Sequence, residues 1–278
     1  MSKNLKILIA LLIILLIGFI LFLIYRPDIE TTKSEDGSKL IIYHAIDYKG
    51  ISDFFPDNKA DQLVEYTNIN IAYNEEHEQA QWVCYLLTKV HIQNPICKRN
   101  NKFKSDPNIH TYSAEPKDYY KSGFDRGHLA PAADMLWSEQ AMKESFYMSN
   151  MSPQKASFNR GVWKKLENRV RKLVLLEDSL VIITGPLLND TMGSIGKNKV
   201  SVPSKFFKII IDISSPKIGA VAFVIPNRGT KLPLNKFAIS IDSLEQLSKL
   251  NFMEALDDGI EIQLEKTIDE SILDKLNQ

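Results

Sequence analysis

No excess of charge of either sign marks this chain: Lys and Arg together number 34, and so do Asp and Glu, over 278 residues. That balance excludes a global basic field, so any polyanionic partner must be held by a local patch. Cysteine is scarce, with only Cys84 and Cys97, so at most one intramolecular disulfide can form. The two are close enough in sequence to pair in an oxidising compartment, and equally to stand as unlinked thiols. No internal repeat is found. What is present in quantity is apolar sequence, 44% of the chain, enough to bury the core of one full domain.

Charge is also missing from Ile7 to Tyr25, a run long enough to cross a hydrocarbon core as a helix. Its end, Ile20-Leu21-Phe22-Leu23-Ile24-Tyr25 before Arg26-Pro27, lacks the small residues of a cleavage site, which favours an uncleaved anchor over a signal peptide. Lys3 and Lys6 precede the run and Arg26, Lys33 and Lys39 follow it, so the cations do not set an orientation. The composition then turns polar, with Thr31-Thr32 and Ser34-Glu35-Asp36-Gly37-Ser38. Three segments are expected: a membrane anchor over 1–27, a polar tether over 28–40, and a domain over 41–278.

Within the domain, alternating or apolar runs predict strands at Ile69 to Tyr73, Gln81 to Leu87, Leu180 to Thr184, Phe206 to Ile213 and Gly219 to Ile225. Helices are predicted at Ser138 to Glu144, Phe158 to Leu176 and Leu244 to Leu250. Strands and helices in this irregular order make an α+β fold with a mainly antiparallel sheet.

Chemistry concentrates in Asp125-Arg126-Gly127-His128-Leu129-Ala130-Pro131. An imidazole is the side chain best suited to accept a proton near neutral pH. Arg126 can hold a phosphate oxygen through its planar fork, and Gly127 lets the backbone approach closely between them. The bland alternative pairs Asp125 with Arg126 and leaves His128 as a satisfied histidine.

Downstream, Asn150-Met151-Ser152-Pro153-Gln154 precedes Phe158-Asn159-Arg160-Gly161-Val162-Trp163, which opens a periodic segment. Trp163, Leu166, Val170, Leu173 and Val174 form its buried stripe, and Asn159 falls on that stripe one turn earlier. A polar amide there must find partners or cost stability, so it either bonds local backbone or binds something. Between Lys155 and Lys172 seven cations, among them Arg160, Lys164, Lys165, Arg169 and Arg171, face a single acid, Glu167. Such a run is either a solvated helix face or a phosphate-attracting patch, and its place after the histidine motif favours the second.

These motifs together resemble the DNA/RNA non-specific endonuclease family, the sugar-non-specific nucleases of the ββα-metal superfamily that include the mitochondrial endonuclease G group. Further matches carry the likeness: Tyr73-Asn74, Gln81-Trp82-Val83-Cys84-Tyr85, the Arg99-x-x-x-Phe103-x-x-Asp106 spacing, Ile183-Thr184-Gly185-Pro186, Val202-Pro203 with Phe206-Phe207-Lys208, Pro226-Asn227 and Ser240-Ile241-Asp242. They span about Tyr43 to Lys266 in the family's order.

The resemblance implies a ββα-metal motif within the sheet domain and magnesium-dependent hydrolysis of phosphodiester bonds in DNA and RNA, with 5′-phosphate ends. It implies His128 as general base, Asn159 as the one protein ligand to Mg2+, with Mn2+ able to substitute, and Glu167 as the acid that holds water on the metal. Arg126 would grip a phosphate oxygen and Asn150 would support the site. Arg99, matched by spacing in a loop of variable length, would contact the scissile phosphate, and Arg160 and Arg171 would add to substrate binding. Magnesium suits this ligand set, because it prefers oxygen and keeps several waters.

The structural alternative for Glu167 is an i,i+4 salt bridge to Arg171. If unperturbed, His128 would titrate near ~6.5 and the rate would fall below that pH. The short N-terminal tail and the hazard of an unrestrained nuclease in the cytoplasm place the domain on the periplasmic or extracellular side. Family analogy also suggests a homodimer. The competing readings are a tethered nucleic-acid-binding module without catalysis and a metal-dependent phosphodiesterase acting on lipids or small cyclic substrates.

Overall fold

The apolar runs form a seven-stranded, wholly antiparallel sheet. The computed structural model describes residues 31–33, 39–41, 50–57, 60–214 and 218–277. In chain order the sheet comprises β3 (Gln62–Glu65), β4 (Asn70–Asn74), β5 (Gln79–Thr88), β8 (Ser179–Pro186), β11 (Lys205–Asp212), β12 (Gly219–Pro226) and β13 (Ala238–Ile239). Their spatial order is β13-β12-β11-β8-β5-β4-β3. Two smaller pairs lie in the same unit: β6 (Asp125–His128) with β7 (Met151–Gln154), and β9 (Thr191–Ile195) with β10 (Val200–Pro203). The remaining pair, β1 (Thr31–Lys33) with β2 (Lys39–Ile41), is an antiparallel hairpin where the sequence predicted a tether.

The central strands read as apolar on both sides because both faces of the sheet are covered. In β11, Phe206 and Ile210 join one core, and Phe207, Ile209 and Ile211 the other. Over the first face lie α2 (Glu139–Glu144), α3 (Lys164–Glu177) and α6 (Glu270–Asn277). Over the second lie α4 (Ile241–Ser248) and α5 (Asp258–Lys266), with Phe252 packed edge-on to Phe207. A short helix, α1 (Lys89–Gln93), follows β5 directly, capped by the Thr88 hydroxyl. Leu166, Val170, Leu173 and Val174 of α3 are all at most 2% exposed, and each contributes about 1.5–3 kcal/mol of burial.

Two expectations change in detail and one is settled. The helix predicted from Phe158 begins at Lys164, because a wider turn over Phe158–Trp163 precedes it and Gly161 is non-helical (φ −104°, ψ −112°). That break removes Asn159 from the buried stripe on which a continuous helix would have placed it; the residue is half-buried rather than packed in the core. The helix predicted at Leu244 starts earlier, at Ile241, where the Ser240 hydroxyl accepts the Ser243 N–H, and it ends at Lys249 in the left-handed region (φ 64°). Cys84 and Cys97 are both free: Cys84 faces the second core, whereas Cys97 packs against the first and donates to the Leu136 carbonyl at 3.2 Å.

The apolar run Ile7 to Tyr25 lies outside the described residues. Among the described residues no helix is long and apolar enough to cross a membrane.

Candidate active site

The histidine motif is itself a strand. Asp125–His128 pairs antiparallel with Met151–Gln154, setting Arg126 opposite Pro153 and His128 opposite Met151, and the chain then turns through Phe158–Trp163 into α3. Two strands and a helix are thereby brought together from one continuous stretch. The hairpin is close-packed at Gly127, where an added Cβ would lie 2.1 Å from Cδ of the buried Gln154. The close approach expected of this glycine is therefore to its own partner strand. Gly127→Ala should cost about 1–3 kcal/mol of stability by overpacking, read as a lowered denaturation midpoint; an unchanged midpoint would contradict the contact.

His128 is 9% exposed and packs edge-on against two mutually touching aromatic rings, Phe146 at 4.8 Å and Phe103 at 5.7 Å. Each ring carries a guanidinium on its face: Arg126 over Phe103 at 4.1 Å and Arg99 over Phe146 at 5.0 Å. Burial, then the positive charges of Arg99 and Arg126, push the imidazole down to about 3. The ring is neutral at physiological pH, and its Nε2 has no hydrogen-bond partner among the described residues.

Asn150 acts on this histidine through the backbone. Fully buried, it accepts the Ala130 N–H on Oδ1 at 2.9 Å and donates from Nδ2 to the carbonyls of Ala130 (3.0 Å) and Ser145 (2.9 Å). Its own carbonyl accepts the Leu129 N–H at 3.0 Å. Three of these bonds anchor the two residues that follow His128, and the fourth ties them to Ser145 at the end of α2.

Asp125 pairs with Arg160, not with Arg126. Its two oxygens take a two-pronged interaction from Arg160 at 2.8 and 2.9 Å, and Oδ2 also accepts Asn159 Nδ2 at 2.9 Å. Although burial opposes ionisation, these donors hold the Asp125 carboxyl below its ordinary value. An ionised carboxylate only accepts, so the amide nitrogen of Asn159 must be the atom facing it. The Asn159 carbonyl oxygen is then left with no hydrogen bond from a described residue, at the wall of an open cleft of ≈ 430 Å³ that Arg99, Phe103 and Arg126 also line. A free, pre-oriented amide oxygen beside a carboxylate fits a hard cation such as magnesium.

Behind the turn lies a second set of charges. Asp134 accepts Tyr85 Oη at 2.8 Å and Arg171 Nη1 at 2.6 Å, and Arg171 also donates to Asn168 at 2.6 Å. Arg171 is thus ion-paired with Asp134 and not with Glu167 one turn earlier, and its side chain is 18% exposed. Glu167 is half-buried on α3, and desolvation raises its carboxyl above the ordinary range against the pull of Lys208, Arg171 and Arg99. The structure brings Arg99, Arg126, Asn159 and Arg160 to one cleft, with Arg160 committed to Asp125.

Sequence reasoning missed Phe103 and Phe146 as walls of the histidine pocket, Asp125 as the clamp on Asn159, and Lys208. For Lys208 a signal was present, a cation inside the apolar run Phe206 to Ile211. A separate carboxylate cluster, Asp242, Glu245 and Glu265, has oxygens within 4.8 Å of one another on α4 and α5. These helices cover the opposite face of the sheet from α3.

Residues 49–259 match the DNA/RNA non-specific endonuclease family. The mitochondrial nuclease EXOG of Danio rerio is 36% identical over 207 residues, 69% of this chain and 60% of that protein. Nuclease C1 of Cunninghamella echinulata var. echinulata is 35% identical over 225 residues, 75% of this chain and 89% of that one. Human mitochondrial endonuclease G is 34% identical over 206 residues, 69% of each. The chain thus spans about three-fifths of the zebrafish relative's length. A solved complex of endonuclease G with its inhibitor EndoGI contains a chain that superposes with a TM-score of 0.69 at 29% identity, covering 77% of this chain and 92% of that one.

Proposed function

Since the chain belongs to the DNA/RNA non-specific endonuclease family, we propose that it is a magnesium-dependent endonuclease, with Mn2+ able to substitute, that hydrolyses phosphodiester bonds of both DNA and RNA. The observation that carries this reading is the convergence of a neutral buried imidazole, an uncommitted Asn159 carbonyl oxygen and Arg126 on one β6-β7-turn-α3 unit, with Arg99 brought beside them from the segment after α1. His128 would take a proton from the attacking water, leaving a 5′-phosphate on the product. Arg126 and Arg99, both solvent-exposed beyond their aromatic contacts, would grip the scissile phosphate. A bound magnesium ion would supply charge stabilisation to the phosphate and the leaving oxygen. Glu167 would order water in the cleft. Contacts confined to phosphate carry no base information, which accounts for action on both polymers.

Arg99 and Arg126 depress the basicity of His128 in the free protein, and a phosphate held between them would offset both charges. The imidazole would become a better base as substrate binds. Without substrate it should remain neutral from pH 8 down to pH 5, in contrast to the unperturbed expectation near ~6.5. Long-range nitrogen NMR of the His128 ring checks this, and protonation above pH 6 would contradict it. The unfolded chain binds a proton below ~6.5 that the folded histidine refuses until about 3, so stability present above ~6.5 is lost progressively as pH falls between those values.

The apolar run Ile7 to Tyr25 supports a membrane anchor, with the catalytic domain on the periplasmic or extracellular side. The test of the whole proposal is digestion of plasmid DNA and of RNA by the full chain, with magnesium and with a chelator. Metal-dependent loss of both polymers is the expected result. Retained binding without hydrolysis would reduce the protein to a tethered binding module.

A further inference from the structure

Lys208 has no part in the chemistry so far described, yet its placement is costly. It sits in the middle of β11, opposite Thr184 on β8 and Phe223 on β12, on the sheet face shared with Phe206 and Ile210. It is 1% exposed, and its Nζ is buried without a hydrogen-bond partner among the described residues. Among the described residues its charge meets the Trp163 ring, whose centroid lies 4.8 Å from Nζ. An ammonium removed from water needs a compensating negative charge, since a ring face alone offers little.

The charged groups facing Lys208 are Glu167 and Arg171 from α3 and Asp134 from the segment after β6. Asp134 is already satisfied by Arg171 and by Tyr85, and Arg171 repels. Glu167 is different. It makes no hydrogen bond to a described residue and is half-buried on α3, one turn after the Trp163 that contacts the lysine.

We propose that Lys208 is a positioning residue for the hydrolytic site: its buried ammonium acts with the more exposed Arg99 and Arg171 as the counter-charge that keeps Glu167 ionised on α3, behind the Asn159 turn. The inference rests on the role given to Glu167 in the proposed function. Two residues supplied by different elements, a sheet strand and α3, would thereby be locked into one electrostatic unit, with Trp163 fixing the lysine over the start of the helix. Burial drives the lysine towards losing its proton and the glutamate towards gaining one, and the opposite charge of each resists that drift in the other.

The test is a double-mutant cycle with Lys208→Met, Glu167→Gln and the double variant, read in two ways. In nuclease assays from pH 5 to pH 9, Lys208→Met should lower kcat at neutral pH by roughly tenfold or more, with KM little changed, and move the acidic limb of the profile to higher pH. In the Glu167→Gln background the same lysine change should alter kcat by less than about threefold, because the group it acts through is gone. In denaturant unfolding, the double variant should be more stable than Lys208→Met alone, since that single change leaves a half-buried carboxylate without its buried counter-charge.

Additive losses in both readouts, or a Lys208→Met profile that keeps the wild-type acidic limb, would overturn the pairing. A wild-type protein that hydrolyses neither DNA nor RNA would instead sink the proposed function. The unfolding cycle would then decide by itself whether the two residues are coupled.

Discussion

His128→Ala should lower hydrolysis of DNA and RNA by at least ~10²-fold and up to ~10⁴-fold, the range expected when a general base is lost. Burial and the positive charges of Arg99 and Arg126 keep this imidazole neutral and therefore able to accept a proton at physiological pH. The same burial complicates the experiment. Alanine removes a ring that Phe103 and Phe146 both pack against, and part of any loss would come from their shifting into the space. Measuring the denaturation midpoint and the affinity for DNA without metal separates the two causes. Intact folding and binding with the rate gone assigns the loss to chemistry, whereas a variant as active as wild type would end the case for His128 as base.

Asn159→Ala should be as damaging, by a different route. It deletes the one amide oxygen that the Asp125 clamp leaves free at the cleft. The magnesium concentration for half-maximal rate should rise at least ~10- to 100-fold, a loss of the size that displacing even an indirect ligand partner produces. Asn159→Asp, superficially a better cation ligand, should not rescue it. The new carboxylate would meet Asp125 Oδ2 where Nδ2 now donates at 2.9 Å, and like charges at that distance repel. Magnesium titration of the rate for both variants is decisive: an aspartate variant that matches wild type would show that the clamp does not set the amide's orientation.

The fold was legible where periodicity was strong. Every strand predicted from an apolar run is present within two residues at each end, as at Phe206 to Ile213 against Lys205–Asp212. The helix predicted from Ser138 to Glu144 is also present, over Glu139–Glu144, with the Ser138 hydroxyl capping it by accepting the Ala141 N–H at 3.2 Å. Strands such as Asp125–His128 were not legible as strands, because their residues are polar and their pairing is with a segment more than twenty residues later. The long helix was overextended because Asn159 falls one turn before Trp163 on the same stripe, whereas Gly161 breaks the backbone between them. The terminal helices α5 and α6 were also missed, their apolar residues being sparse and separated by acids.

By itself the sequence determined which reactive groups exist and in what order: an imidazole behind an arginine, an amide at the start of a basic segment, a single acid within it. Those are local facts, carried by residue type and spacing. Only the tertiary structure decided how each group is charged and which way it faces. Phe103, His128 and Phe146 come from three separate stretches, and their packing, with Arg99 and Arg126 over the rings, is what holds the base neutral. Asp125 and Asn159 lie 34 residues apart, and their contact is what turns the amide oxygen outward. Lys208 comes under α3 because a sheet strand places it there. Desolvation and charge coupling depend on what surrounds an atom in space, and that neighbourhood is assembled by contacts distant in the chain.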